Sequence, residues 1–211
     1  MTTEQAAKIF NGRLATSRSR RYNDGSIMPI PSLDTNLPSP YENRLRCNWG
    51  KNPLLWAYHD DEYGFTPELD AIFLERLVLE INQAGLSWLT IIRKREGFQR
   101  AYHGFEVDIV AEYGDRDRKR LMADVSIVRN RRKINAAIVN ARVFQALRGQ
   151  YGSIKAWLDI QAGELAQRTK ADWVSLFKTK FVFTGPEITG EFLMSTGYLP
   201  SFHESQCWRS S

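Results

Sequence analysis

Apolar side chains recur at spacings of three and four residues along most of this chain, which is the period of an amphipathic α-helix. One run would lie along a single helical face: Leu69, Phe73, Leu77, Glu80 and Ala84. The segment Thr66-Pro67-Glu68 precedes this run with a capping hydroxyl, a proline and an acid, so we predict that a helix starts there. Gly85 is predicted to end that helix, and Ser87 to cap a second helix from Trp88 to about Tyr102.

Six further stretches carry the same helical period. They lie near residues 107–113, 116–123, 131–147, 154–160, 171–177 and 187–196. The apolar run Phe181-Val182-Phe183 is too short to imply a sheet, and no alternation is long enough for a core made of strands. The pattern therefore predicts an all-α fold.

Residues 1–43 differ from the rest in composition, because Ser, Arg, Asn and Pro dominate. Pro29, Pro31, Pro38 and Pro40 follow a basic cluster of Arg18, Arg20 and Arg21. Such a segment has little apolar surface to bury, so we expect an N-terminal extension, with one short helix near residues 5–14, ahead of a helical domain of residues 44–211. A basic arm could follow a DNA backbone, and a solvated tail fits the composition equally well.

The overall composition is that of a soluble protein with one domain of ordinary size. The chain has 211 residues, of which 43% are hydrophobic and 25% charged. We find no run of 18 apolar residues for a membrane span, and Glu4 and Lys8 interrupt any secretory signal, so we expect a cytoplasmic protein with no membrane partner. The net charge of +5 suits a polyanion but does not require one.

Glu80 is a candidate functional residue, because its place on the apolar run turns it towards the interior. A buried carboxylate must find partners or become neutral, since the loss of water penalises its charge. From the spacing alone, a core glutamate paired with one of the many arginines is a somewhat better interpretation than a catalytic group.

Large aromatic residues are dense in one stretch of the chain: Trp49, Trp56, Tyr58, Tyr63 and Trp88. Flat rings of this kind suit a pocket for a nucleobase, since they stack on it and attract a cationic one. A core rich in large residues explains the same pattern, and without further information that simpler interpretation is preferred.

The chain also holds a possible metal-ligand set of Cys47, His59, His203 and Cys207. Two thiolates and two imidazoles could close a tetrahedral zinc site without an open position, which would join the two ends of the domain. The spacing is not that of a zinc finger, so the signal is weak by itself. It nevertheless uses both cysteines and two of the three histidines, leaving His103 as an ordinary histidine.

A basic segment joins a short predicted helix to a long one, and its cations are Arg129, Arg131, Arg132 and Lys133. Cations and free backbone N–H groups at a helix start could contact DNA phosphates. The glycines usual in a helix-hairpin-helix motif are missing, so a solvated charged turn remains a fair alternative.

Taken in order, these blocks of sequence resemble the bacterial 3-methyladenine DNA glycosylases of type I. The resemblance rests on Arg46-Cys47-Asn48-Trp49, Ala57 through Gly64, Glu80 through Trp88, Ile127 through Ala141, and Phe183-Thr184-Gly185-Pro186 with His203 and Cys207. It covers roughly residues 44–207 and leaves the N-terminal extension outside.

The resemblance implies a helix-hairpin-helix DNA glycosylase fold with a structural zinc site joining the domain termini, held by the four ligand candidates above. It implies that Glu80 recognises the base and is catalytic, that Trp49, Tyr58 and Trp88 form the pocket, and that Gly85-Leu86 enters the gap left by the flipped nucleotide. The implied activity is DNA repair. A monomer would extrude 3-methyladenine from double-stranded alkylated DNA and hydrolyse its bond to the sugar, leaving an abasic site.

Three positions depart from the family pattern. Tyr63 replaces a common tryptophan but keeps an aromatic wall, and Asn48 stands where glycine is frequent. Glu187-Ile188-Thr189-Gly190 differs from the usual stretch that contains threonine and tyrosine. This departure leaves two alternatives open: a zinc-stabilised, non-catalytic DNA-binding homologue, and a glycosylase for another alkylated base.

Overall fold

The computed structural model describes residues 42–163 and 168–210. The predicted extension, including the helix near residues 5–14 and the cluster Arg18–Arg21, lies outside these ranges apart from its last two residues. Within them every regular element is a helix and no strand forms, which confirms the prediction of an all-α fold.

Nine α-helices lie in the described ranges. They are α1 Asp70–Gln83, α2 Trp88–Arg93, α3 Arg95–Ala101, α4 Val107–Ala111, α5 Asp115–Ala123, α6 Arg131–Tyr151, α7 Ile154–Gly163, α8 Lys170–Lys180 and α9 Pro186–Ser195. Short 3-10 helices occur at Asn48–Gly50, Pro53–Leu55 and His103–Phe105, and a single π-helical turn occurs at Tyr58–Glu62. The sequence pattern predicted none of these four short elements.

Helix α1 begins at Asp70, so the predicted start at Thr66-Pro67-Glu68 is wrong. Tertiary contacts hold that segment outside the helix: the Gly64 N–H donates to the Ser195 carbonyl, 3.0 Å away, and Thr66 packs against Gly197. Such contacts outweigh the local helix-start signal.

The apolar stripe predicted for α1 is only partly correct. Its middle residues, Phe73, Leu77 and Glu80, are buried, but Leu69 and Ala84 at its ends are exposed. Every residue from Phe73 to Asn82 is buried, because α1 is enclosed by other helices on all sides. Helix α1 is therefore the central element of the core.

Ser87 caps α2 as predicted, and its hydroxyl accepts a hydrogen bond from the Thr90 N–H at 3.2 Å. The long helix predicted from Trp88 is instead two helices, interrupted at Lys94. The break redirects the chain so that Gly97 packs on Ser126, where an added Cβ would lie only 2.6 Å from a carbonyl oxygen.

The packing of the helices brings three helix ends together. Helix α6 packs against α1, α4, α5 and α7, and α1 also packs against α9. The C-terminal end of α1 thereby lies beside the start of α6 and the first turns of α9. No helix within the described ranges has both the length and the apolar character needed to cross a bilayer.

Candidate active site and metal centre

A cleft of about 290 Å³ opens where α1 meets α9. Its lining consists of Glu80, Gln83, Ala84 and Leu86 on one side and Glu187, Ile188 and Glu191 on the other. This volume is close to the lower end of the range for small-molecule sites. The segment that departs from the family pattern thus forms one wall of the cleft.

Glu80 is only 5% exposed, and its carboxylate has no hydrogen-bond partner in the part of the chain that the structure describes. Burial raises the pKa of Glu80 to about 8, and the charge of Glu191 raises it too, whereas Arg76 lowers it. The core glutamate paired with an arginine, weighed above, is therefore not what the structure contains. A carboxyl group that lines a cleft without partners is available to a ligand.

The raised pKa of Glu80 predicts a specific pH dependence of stability. Because the folded state holds this proton more tightly than the unfolded chain, the stabilising effect is complete below pH 4.5 and is lost as the pH rises through about 8. The unfolding free energy of Glu80→Gln minus that of wild type should therefore increase by roughly 2–4 kcal/mol when the pH is raised from 5 to 9. Urea unfolding at both pH values measures the difference, with the exposed Glu187→Gln as control. A constant difference between variants would contradict the burial of an ionisable Glu80.

Four of the five aromatic residues form one cluster, whereas Trp56 lies under the Arg46 guanidinium instead. Ring centres are 4.9 Å apart for Tyr58 and Trp88, 5.1 Å for Trp49 and Tyr63, and 6.3 Å for Trp49 and Tyr58. Burial raises the pKa of both tyrosines, and the charge of Glu80 contributes to each rise, so the cluster borders Glu80. The four rings adjoin the cleft but are not among its seven lining residues.

A buried ionic network supports the Tyr58 ring. The Arg76 guanidinium lies 4.9 Å from the ring centre and donates to Glu62 at 2.7 Å. Arg95 donates to Glu62 at 2.7 Å and to Glu75 at 2.9 Å. Burial alone would raise the pKa of Glu62, but Arg95 and Arg76 lower it to about 2. The network therefore stays ionised and holds Tyr58 beside Glu80.

The four predicted metal ligands also come together, with their ligand atoms within 4.8 Å of one another. Cys207 Sγ lies 3.5 Å from His59 Nε2 and 3.7 Å from His203 Nδ1, and Cys47 Sγ lies 3.6 Å from His203 Nδ1. Tetrahedral zinc would place sulfur and nitrogen ligands about 3.6 Å apart. The donor set and its spacing fit a zinc ion.

Surrounding side chains orient His59 for such a role. Its Nδ1 lies 2.8 Å from Asp60 Oδ1, and Asp60 also accepts from Arg46 at 2.6 Å and from Trp208 at 3.0 Å. Burial would raise the pKa of Asp60, but hydrogen bonds from Arg46 and His59 lower it to about 2. A permanent carboxylate on Nδ1 keeps the proton there and leaves Nε2 to face the thiols, as in many zinc sites.

The cysteines fit the same interpretation. Burial raises the pKa of the Cys47 thiol to about 11, and burial lowers the pKa of His203 to about 4. The Cys47 thiol would stay protonated at neutral pH without a cation, whereas the His203 imidazole is already neutral. Binding of a divalent metal would therefore displace the proton of Cys47.

The turn after α1 contains Gly85 and Leu86, the two residues predicted to enter the gap left by a flipped nucleotide. Gly85 adopts φ +84°, a left-handed conformation that favours glycine, and Leu86 is 41% exposed at the mouth of the cleft. Lys133 supports this turn from α6, because its ammonium donates to the Asn82 carbonyl at 3.0 Å and to the Ala84 carbonyl at 2.7 Å.

The four cations predicted to contact phosphates differ in their exposure to solvent. Arg129, Arg131 and Arg132 are exposed, whereas Lys133 is buried and its charge caps the end of α1. Asn130 caps α6 by accepting from the Arg132 and Lys133 N–H groups, so those backbone donors are already used. A phosphate role for the Lys133 ammonium and for these two N–H groups is therefore dropped, and three arginines remain.

Comparison with known proteins places this arrangement in a family. The profile of the methyladenine glycosylase family matches residues 48–210. DNA-3-methyladenine glycosylase 1 of Escherichia coli (strain K12) is 46% identical over 101 residues, which are 47% of this chain and 54% of that protein. The chain thus aligns with about half the length of this relative.

Two further matches extend over nearly whole proteins. DNA-3-methyladenine glycosylase of Haemophilus influenzae (strain ATCC 51907 / DSM 11121 / KW20 / Rd) is 31% identical over 179 residues, covering 77% of this chain and 96% of that protein. A crystal structure of 3-methyladenine DNA glycosylase I superposes with a TM-score of 0.70 at 29% identity, covering 78% of this chain and 99% of the other. The chain therefore belongs to the methyladenine glycosylase family.

Proposed function

We propose that this protein is a DNA-repair N-glycosylase that flips 3-methyladenine out of double-stranded DNA and hydrolyses its bond to the sugar. The observation that carries the proposal is Glu80, a buried carboxylate without partners that lines a cleft beside four aromatic rings. Membership of the methyladenine glycosylase family supports the same reaction and substrate. The direct test is to identify the base released from methylated duplex DNA.

The chemistry matches what the cleft offers. Methylation at N3 makes adenine cationic, so the base is a good leaving group. In the proposed step the electron pair of the glycosidic bond goes to the base and neutralises it, while a water oxygen bonds to C1′ and gives up a proton. Glu80 is proposed to bind the edge of the cationic base and to stabilise the positive charge that develops on the sugar.

The remaining site residues have proposed roles in holding the extruded base. Flipping costs a few kcal/mol, less for a damaged base, and Leu86 at the mouth of the cleft suits the gap left in the duplex. Trp49, Tyr58, Tyr63 and Trp88 are proposed to enclose the base, which stacking and cation–π attraction would favour. No lysine lines the described cleft, so we propose simple hydrolysis to an abasic site without strand cleavage.

We further propose that Cys47, His59, His203 and Cys207 hold one zinc ion. Four protein ligands would complete its coordination and leave no position for water, so the metal would stabilise the fold and take no part in the chemistry. Cys47 directly precedes the family-matched region, His59 lies near its start, and His203 and Cys207 lie near its end, so the ion would join the two ends.

Binding to DNA is expected to depend on charge and not on sequence. Reversing two exposed cations, Arg131→Glu with Arg132→Glu, should weaken binding to all duplexes alike. It should also make the affinity less dependent on salt concentration, because binding with fewer phosphate contacts releases fewer counterions from the DNA. Fluorescence anisotropy at several salt concentrations measures both effects. The matched control reverses Arg116 and Lys119, which are exposed on α5. Equal losses in both variants would place the DNA contact elsewhere.

A further inference from the structure

Glu191 lies on α9, one helical turn after Glu187, and lines the same cleft as Glu80. Position 191 lies three residues after 188 and four after 187, so its side chain neighbours both on this helix. Glu191 is half-buried, whereas the Glu187 side chain at the rim is 86% exposed. The cleft therefore holds an inner pair of carboxylates from two helices.

The neighbouring charges are arranged around this inner pair. Lys170, on α8, lies across Gly190, where an added Cβ would be 2.5 Å from its Cε, and its ammonium lies 3.7 Å from Glu187. Burial raises the pKa of Glu191, Lys170 lowers it and Glu187 raises it. Arg76 also faces Glu80, but its charge is already paired with Glu62.

We propose that Glu191 is a specificity-determining residue that makes the cleft prefer a cationic base over a neutral base of the same shape. The inference rests on the proposed function, because it assigns the selection of substrate charge to the same cleft.

The physical reason is the repulsion between two carboxylates in a small cleft. With the cleft empty, burial and, after it, the charge of Glu191 raise the pKa of Glu80 to about 8, so Glu80 retains its proton at neutral pH. A cation between them offsets the repulsion and allows both to ionise, whereas a neutral base brings no such gain. Tyr58 and Tyr63, which also border Glu80, are neutral at this pH because burial raises their pKa values.

Binding of two small purines tests the preference without requiring catalysis. The probes are the 3,9-dimethyladeninium ion, which is permanently cationic, and neutral 9-methyladenine, titrated calorimetrically into the full-length protein. Glu191→Gln should reduce the preference for the cation roughly tenfold relative to wild type. The control Glu112→Gln removes an exposed carboxylate at the end of α4, outside the cleft lining, and should leave the preference unchanged. Glu191→Ser provides a second removal of the charge in case the glutamine variant misfolds. An unchanged preference in a folded Glu191 variant would overturn the proposal.

A second experiment measures how the charge of Glu191 affects the titration of Glu80. In protein labelled with ¹³C at glutamate carboxyl groups, the titration midpoint of Glu80 should fall by about one pH unit in Glu191→Gln and stay fixed in Glu112→Gln. An identical midpoint in all three proteins would also overturn the proposal. Neither experiment measures base release. A wild-type protein that prefers the cation but releases no base would therefore contradict the proposed function and leave this inference standing.

Discussion

Replacing Glu80 with glutamine is expected to lower the release of 3-methyladenine roughly 10²–10⁴-fold, the usual contribution of a positioned acid–base group. Glutamine preserves the size of the side chain but removes the negative charge that would stabilise the cationic base and sugar. The loss should lie towards the low end of this range, because a cationic base departs readily without much assistance. Single-turnover release at saturating protein measures the chemical step itself.

The same experiment includes its controls. Glu80→Gln should fold and bind duplex DNA as wild type does, and Glu112→Gln should release base at the wild-type rate, because that carboxylate is exposed outside the cleft lining. Equal rates for wild type and Glu80→Gln would remove Glu80 from the mechanism and make it a buried structural carboxylate.

Removing one proposed zinc ligand should have the largest effect on stability. We expect purified protein to contain about one zinc ion per chain, and His203→Ala to lose it together with more than about 3 kcal/mol of unfolding free energy. Without the ion, the segment that carries Cys207 would lose its attachment to Cys47 and His59. Metal analysis and urea unfolding provide the two measurements.

His103 offers a matched control for this substitution. It is exposed, it hydrogen-bonds the Tyr113 hydroxyl and it lies outside the metal cluster, so His103→Ala should keep the zinc and most of the stability. A chelator should destabilise wild type and His103→Ala but not His203→Ala. Carefully prepared protein that contains no zinc would refute the assignment.

Much of the fold could be predicted because helical periodicity is a local property of the sequence. Eight predicted helical stretches appear in the structure, and Ser87 is a cap as predicted. The errors occur where contacts between residues far apart in the sequence determine the ends of a helix. The start of α1 moved because residues 64–66 pack against residues 195–197, and the helix predicted from Trp88 is interrupted at Lys94, three residues before Gly97 packs on Ser126.

The candidate site likewise contains residues that the sequence could predict and residues that only the fold reveals. The metal cluster and the aromatic cluster could be predicted, because rare residue types and the family resemblance both point to them. Glu191, Arg76 and Asp60 were missed, since an ordinary charged residue gives no signal until the fold shows what it faces. The helical spacing of residues 187 and 191 could have indicated Glu191, once Glu187 was suspected. Lys133 looked like a phosphate ligand because sequence alone does not show that α1 ends against its ammonium.

Excision of 3-methyladenine is measured by identifying the product that wild-type protein releases from duplex DNA treated with dimethyl sulfate. Chromatography of the soluble fraction should show free 3-methyladenine well above the level without protein, and the DNA should contain abasic sites that break only with alkali. Release of a different alkylated base alone would change the substrate assigned to the cleft. No released base above the control would contradict the account and leave a zinc-stabilised protein that binds DNA without cutting the glycosidic bond.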